Sequence, residues 1–552
     1  VGVLKPAFAT LLLALAAGVP AVVQAQFDDE PIAGAVYGRD TETAEEGEDG
    51  GDEPKAPPKQ RVIDLEKMRK GFRLRAEEPS AIPAFVAPKL PDLTPYTVKN
   101  LEAKIDRRVK GRAVLGSMLG ETAFRTLTST AADGFRVFSK RQSGGLRAIY
   151  VEAGYVTLAD LAKSLPKDVF EQTEAGVYTA RLPLVVRHGA TLHIDRSVSQ
   201  LRLSQDRGVV LAVEGDLFVT GATVLGWNEA AKGPAWFRDK HEFRPFIVSW
   251  GGSRTFLGDA RIAHLGFAST KAYGFSLTQY GVAMVERTVW APPTGWIIDS
   301  EIEDLWYGFY SYEADDVVMR GNKMKNNIKY GFDPHDRSRR LIIAENEAWG
   351  TRHKHGIIIS REVQDSWIIG NKTHDNGLAG IMLDRQCKRN VIANNIAYKN
   401  GSDGIVISES PDNLVWNNLA SNNLHHGIRV RNSTDIRLQD NVTNANGLTG
   451  VYGNTLKLDF LPRDLKLDPY SMVTTMTVVG GQASGNGAGP LGLDDPTMAR
   501  YHNLDLRVAQ RELGYRFSGM FVAFQIEMLD VMLNQKKVAV IERSPSPPSV
   551  AR

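Results

Sequence analysis

The chain has 552 residues and a single cysteine, Cys387. No intrachain disulfide can form, so packing and hydrogen bonds must hold the fold. Cys387 stands in Asp384-Arg385-Gln386-Cys387 with no adjacent histidine to activate it, which marks a packed thiol rather than a nucleophile. Long apolar runs are scarce. The run Leu11 to Val23, preceded by Lys5 and ending in Val23-Gln24-Ala25, reads as a secretory signal cleaved after Ala25. It is too short to span a bilayer comfortably, so no membrane span is expected after cleavage. With 43% hydrophobic and 24% charged residues, the body is that of a soluble protein. The calcium-binding nonapeptide repeat is missing, and His353, His355 and His374 stand out of register for a defined site. No metal and no cofactor are therefore expected.

Outside one stretch, acidic residues taken as a whole are outnumbered by basic ones. Between Asp28 and Pro57 eleven acids face two bases, inside a chain of net charge +2. Without that stretch and Lys5 the body carries about +10, which points to a polyanionic partner. Nucleic acid, anionic lipid and an acidic polysaccharide all fit that description, and export disfavours the first.

Residues 26–60 read as a disordered acidic linker, because too few apolar side chains are present to offset the entropy of ordering. Residues 61–175 mix helical patterns (101–108, 158–165) with short strands such as 148–151, and read as an α/β cap. From 176 to 455 the texture is short β-rich runs split by Gly, Asn and Asp. Residues 232–290 interrupt it and are expected either as a lid over a groove or as flank packing. Residues 456–552 lose the period. Helices are expected at 504–513 and 520–533, covering the open end of the core, with a disordered tail after Ser544.

What is abundant is repetition. Gly followed by an apolar residue recurs at Gly308, Gly331, Gly356, Gly380, Gly404, Gly427 and Gly450, at spacings of 23, 25, 24, 24, 23 and 23. In register with it runs Asn322, Asn346, Asn371, Asn395, Asn418 and Asn441. One turn of a parallel β-helix needs about this length, and stacked Asn side chains can hydrogen-bond from turn to turn. The expected fold is all-β, a right-handed parallel β-helix with a small N-terminal cap and a helical C-terminal cap.

Counting from each Gly, offsets +1 and +3 are apolar and point into the core, so offsets +2 and +4 face outward. Offset +4 reads Tyr312, His335, Ser360, Asp384, Ser408 and Arg431, and offset +5 reads Glu313, Asp336, Arg361, Arg385, Glu409 and Asn432. Strict alternation would bury the +5 charges without partners, so the strand must bend there and expose both columns on one surface. Asp333, His335 and Asp336 then share one turn, with Arg361 and Arg385 on the next two, about 4.8 Å apart. Trp306, Tyr310 and Tyr312 on the preceding turn offer ring faces to sugars. Arg385, Arg429 and Arg431 read as polymer-binding, and Asp384 as binding or catalytic.

The string Asp333-Pro334-His335-Asp336 at this repeat offset resembles the signature of the periplasmic mannuronan C5-epimerases of alginate-producing bacteria. The similarity covers nearly the whole mature chain. It implies a periplasmic enzyme acting on an anionic polyuronate, alginate or polymannuronate, alongside the proteins of an alginate export complex. It implies His335 as the base, Asp333 and Asp336 as its support, and Arg361 as the cation on the substrate carboxylate.

The chemistry of the residues agrees. Removing the C5 proton of a uronate builds a second negative charge beside a carboxylate, so a cation on that carboxylate comes first. A base poised near neutrality comes second, and an unperturbed imidazole titrates near 6.5. Pro334 restricts Asp333 to extended backbone. An acid on the opposite sugar face comes third, and a groove-bound water, Tyr310 and Tyr312 all remain open. A polysaccharide lyase begins with the same proton abstraction, and a non-catalytic polymer-guiding scaffold needs the same basic groove. A glycoside hydrolase would need two carboxylates about 5–10 Å apart across the bond, which Asp333, Asp336 and Asp384 could mimic. All three stay open on the sequence alone.

Overall fold

The computed structural model describes residues 65–129, 135–142, 145–280, 291–458, 465–466, 468–507 and 517–544. The expected signal (1–25), acidic linker (26–60) and tail after Ser544 lie outside the described residues. No helix among the described residues is long and apolar enough to cross a membrane.

The repeat folds as three strands per turn. Tyr307–Tyr312, Val318–Arg320 and Lys323–Lys325 make one turn, and Tyr330–His335, Ile342–Ala344 and Glu347–Trp349 the next. Like strands pair in parallel from turn to turn, so the described residues form three fifteen-stranded sheets wound as a right-handed parallel β-helix. The groove sheet is the one holding Tyr307–Tyr312 and Tyr330–His335.

Each recurring feature has a physical cause. A Cβ on Gly331 would lie 2.3 Å from the Gly356 carbonyl oxygen, and one on Gly308 2.4 Å from that of Gly331. Successive turns approach too closely there for any side chain. Phe309, Phe332, Ile357, Ile381, Ile405 and Ile428 stack as one buried column of the core. The Asn column is a ladder: Asn395 Nδ2 donates to Asn418 Oδ1 at 2.9 Å and to the Ile368 carbonyl at 2.8 Å, and Asn395 Oδ1 accepts from Asn371. A second ladder through Asn376, Asn400, Asn423, Asn446 and Asn486 escaped the sequence reading. These buried bonds fix the register of the turns they join, since an unpaired buried amide costs about 1–3 kcal/mol.

The stack begins earlier and ends later than the 176–455 expected. Arg147–Val151 and Gly154–Thr157 already pair in parallel with Leu184–Val186 and Ala190–Ile194. Strands Thr475–Val479, Gln482–Ser484, Gly489–Asp494, Met498–His502 and Asp505–Arg507 continue it past 455. An insertion after Asn454 hides the period without ending the stack. Within 232–290, Phe246–Ser249, Arg254–Gly258, Arg261–Ala263 and Gly274–Thr278 are ordinary strands of the three sheets. Only the longer links around 229–245 and 264–273 leave the stack, and residues 281–290 lie outside the described set.

The helix expected over 101–108 is only Val98–Glu102, because Asp106 accepts the Arg108 N–H at 3.0 Å and makes a turn instead. At 504–513, Asp505–Arg507 is a strand and 508–513 lies outside the described residues. At 520–533 the chain forms three short helical pieces, Met520–Phe524, Gln525–Leu529 and Asp530–Asn534. They set Met520, Phe521, Phe524, Met528 and Met532 over the core's open end. The terminal edge is also closed by strands: Val538–Arg543 pairs antiparallel with Met498–Tyr501 on one side and with Phe72–Glu77 on the other. At the other end, helix Leu158–Ser164 starts at a capping box of Thr157 and Asp160 and lays Leu158 and Leu161 on the core.

Candidate active site

The bend inferred for the +5 column is present. Glu313, Asp336, Arg361, Arg385, Glu409 and Asn432 all take left-handed backbone, with φ of 51°, 30°, 58°, 57°, 50° and 46°. Each ends its strand by turning the next side chain back onto the outer face, so the +4 and +5 columns share one surface. That conformation is disfavoured for residues with a Cβ, and holding it at Arg361 and Arg385 costs about 1 kcal/mol each.

On this surface His335 pairs in register with Tyr312 on the turn before and Ser360 on the turn after. The strand meets 357–360 at Phe332–Ile357 and His335–Ser360 only, since Pro334 has no N–H to donate. His335 Nδ1 lies 2.6 Å from Asp336 Oδ2. Burial pushes the Asp336 carboxyl up, but the charge and hydrogen bond of His335, with Arg361 and Lys271, outweigh it and hold the group below the usual carboxylate range. An ionised Asp336 accepts from Nδ1–H, which makes Nε2 the basic nitrogen of the ring.

Asp333 plays a different part. It is 1% exposed, and its hydrogen-bond partner is Ser360 Oγ at 3.4 Å. Burial drives its carboxyl up to about 7, with Asp336 adding to the rise and His335, Lys329 and Ser360 opposing it. The native state therefore binds this proton more tightly than the unfolded chain, whose Asp titrates near 3.9. Stability is lost as pH climbs from about 4 to about 7. Asp333→Asn should unfold at higher denaturant than wild type at pH 8, by about 2–4 kcal/mol, and like wild type near pH 4. Equal gaps at both pH values in denaturant titrations would mean that native Asp333 titrates as an ordinary carboxylate.

Arg361 is part-buried, its side chain 14% exposed, but its Nε and Nη2 are shielded from water and have no hydrogen-bond partner among the described residues. Burial and then the neighbouring Arg385 pull its pKa down, against Asp336, Asp468 and Asp384. A guanidinium kept dry with unused donors is prepared for an anion. Arg385 lies 3.5 Å from Asp384 and 3.0 Å from Asp468, so it is already ion-paired.

The structure gathers Asp333, His335, Asp336, Arg361, Asp384, Arg385, Tyr310 and Tyr312 on four successive turns. Arg429 and Arg431 stand two turns further along. There Arg431 Nη2 donates to Ser408 Oγ at 2.7 Å, and Arg429 Nε to Asn454 Oδ1 at 3.4 Å. Burial, helped by Arg429, lowers the Arg431 guanidinium to about 10.

The aromatic residues differ from expectation. Lys271 Nζ sits 3.8 Å from the Tyr312 ring centroid, and Tyr273 meets the Tyr310 ring edge-on at 4.8 Å. Their ring faces are covered by the 264–273 link, and Trp306 is 8% exposed. Lys271 Nζ also donates to the Tyr310 hydroxyl at 3.3 Å, and Arg337 Nη2 to the Tyr312 hydroxyl at 3.1 Å. The Tyr310 ring lies 5.7 Å from that of His335. Cys387 is fully buried in the core, where burial pushes its thiol up.

The chain is 47% identical over 458 residues to a mannuronan C5-epimerase of Pseudomonas putida, covering 82% of this chain and 88% of that protein. It is 47% identical over 455 residues to mannuronan C5-epimerase AlgG of Azotobacter vinelandii, covering 82% and 86%. The chain belongs to the mannuronan C5-epimerases. A crystal structure of the periplasmic alginate epimerase AlgG superimposes with a TM-score of 0.75 at 43% identity, over 77% of this chain and all of that one. The model of the periplasmic copper-binding protein family NosD matches residues 272–426, part of the repeat. No group of three or more His, Cys, Asp or Glu among the described residues is placed to hold a metal.

Spacing alone could not have found every group at this epimerase's site. Ser360 was visible in the +4 column, but its bond to Asp333 was not. Lys271 and Asp468 come from links outside the period, and no sequence signal connects them to His335 or Arg361.

Proposed function

We propose that this groove binds the mannuronate polymer of alginate in the periplasm and inverts C5 of residues within the chain, turning β-D-mannuronate into α-L-guluronate. One observation carries the reading: a histidine oriented by an ionised aspartate stands one turn from a part-buried guanidinium whose Nε and Nη2 are shielded from water and unbonded.

Arg361 takes the substrate carboxylate, and its charge offsets the second negative charge that grows as C5 loses its proton. His335 Nε2 receives that proton. The resulting imidazolium is stabilised by Asp336, whose carboxyl is held ionised. Asp333, titrating near neutrality beside it, supports His335 without adding a full second negative charge at neutral pH. Arg385, Arg429 and Arg431, with Asp384, line the path of the polymer, while the covered rings of Tyr310 and Tyr312 pack beside His335. A proton delivered to the opposite face of C5 completes inversion with the glycosidic bond intact. The reading includes contact with the proteins that export alginate, for which the support is the family resemblance.

The test is proton NMR on polymannuronate incubated with the protein in deuterium oxide. Guluronate signals with deuterium at C5 and unchanged chain length are expected. Unsaturated, ultraviolet-absorbing ends would instead make the reaction an elimination, and an unaltered polymer would leave only binding.

A further inference from the structure

The Asn ladder advances by 23 residues from Asn423 to Asn446 and then by 40 to Asn486. The extra residues come between strands Thr449–Asn454 and Thr475–Val479 in the chain, and of them 455–458, 465–466 and 468–474 are described. Their base is tied down. Asn432 Nδ2 donates to the Leu456 carbonyl and Leu456 N–H returns a bond to Asn432 Oδ1, both at 2.7 Å, while Leu458 N–H donates to the Tyr470 hydroxyl at 2.8 Å. Asp468 nevertheless lies three to four turns back, with Oδ2 3.0 Å from Arg385 Nη1 and 3.9 Å from Arg361 Nη2. At the spacing of parallel strands that is a return of about 15–20 Å along the groove.

We propose that Asp468 is an internal stand-in for the substrate carboxylate, occupying the seat between Arg361 and Arg385 until a uronate displaces it. The inference rests on the reading of Arg361 as the carboxylate site. Two like charges on adjacent turns repel in a dry groove, and a carboxylate between them relieves the repulsion when no polymer is bound. The geometry makes the arrangement reversible. At 3.9 Å Asp468 neutralises Arg361 without making a hydrogen bond to it, so an arriving carboxylate gains bonds that Asp468 does not make. The Asp468 side chain is 23% exposed against 5% for Arg385, so it has water to withdraw into. An uncharged sugar has nothing with which to replace it. Asp468 thus acts as a positioning residue that admits only a carboxylate-bearing polymer to the base.

Steady-state kinetics on polymannuronate test this. Asp468→Asn removes the competing charge and is expected to raise kcat/KM about five-fold through a lower KM, the effect of losing one part-exposed ion pair. Asp468→Ser, which also lacks the charge, must move KM the same way, and Asp468→Glu, which keeps it, should leave KM near the wild-type value. A KM that is unchanged or higher in both uncharged variants, with normal thermal midpoints, would overturn the proposal. Arg361→Lys separates this from failure of the underlying reading. If that change leaves KM and kcat untouched, the carboxylate seat itself is elsewhere; if it impairs both while the uncharged Asp468 variants do nothing, only the stand-in is lost.

Discussion

Replacing His335 by Gln is expected to lower kcat by about 10³-fold, within the range of about 10²–10⁴ that a positioned base contributes, with little change in KM. Gln fills a similar volume and keeps an amide near Asp336, so the buried pocket at 4% exposure stays filled and the fold should survive. What disappears is the lone pair that receives the C5 proton. Because exchange of C5 hydrogen for deuterium passes through the same abstraction, deuterium incorporation should fall with guluronate formation. NMR time courses on equal amounts of wild type and variant measure both. Guluronate appearing within ten-fold of the wild-type rate would move the base elsewhere, and Asp333, with its carboxyl near 7, is the next group in line.

Replacing Arg361 by Ala should be at least as damaging to kcat/KM, on the order of 10³-fold, since the whole cation is lost and not a single donor. Unlike the histidine change, it should raise KM as well, because the carboxylate is held before and during proton transfer. Arg361→Lys keeps the charge but loses the planar two-pronged contact, and should recover only a part. The same variants carry a second readout. Arg361 is part-buried, with Nε and Nη2 shielded and unbonded and with desolvation and Arg385 pulling its pKa down. It therefore costs the native state stability, and Arg361→Ala should melt at the same temperature as wild type or higher. A variant that loses activity and also melts well below wild type would mean that Arg361 is part of the scaffold.

The motif Asp333-Pro334-His335-Asp336 was legible as a group, but the division of labour inside it was not. Asp336 becomes the ionised partner of His335 only because the left-handed turn brings its carboxyl 2.6 Å from Nδ1. Asp333, two residues earlier on the same face, is raised by burial that no four-residue string reveals. Tyr310 and Tyr312 were assigned to sugars from their turn, yet Tyr273 and Lys271 reach over them from a link that obeys no spacing.

The sequence by itself determined the β-helix, its core columns, one Asn ladder and the outward surface on which His335, Arg361 and Arg385 meet. A period of 23–25 residues repeats the same local constraint at each turn: a close-packed glycine, an apolar column, an amide that must be bonded. Charges that cannot be buried forced the bend at offset +5. Only the tertiary structure decided how far the stack runs, what closes its ends, and that Asp468 comes to rest between Arg361 and Arg385. Those features depend on segments outside the period. Their end points are set by what they meet after folding back, and spacing along the chain carries no record of that meeting.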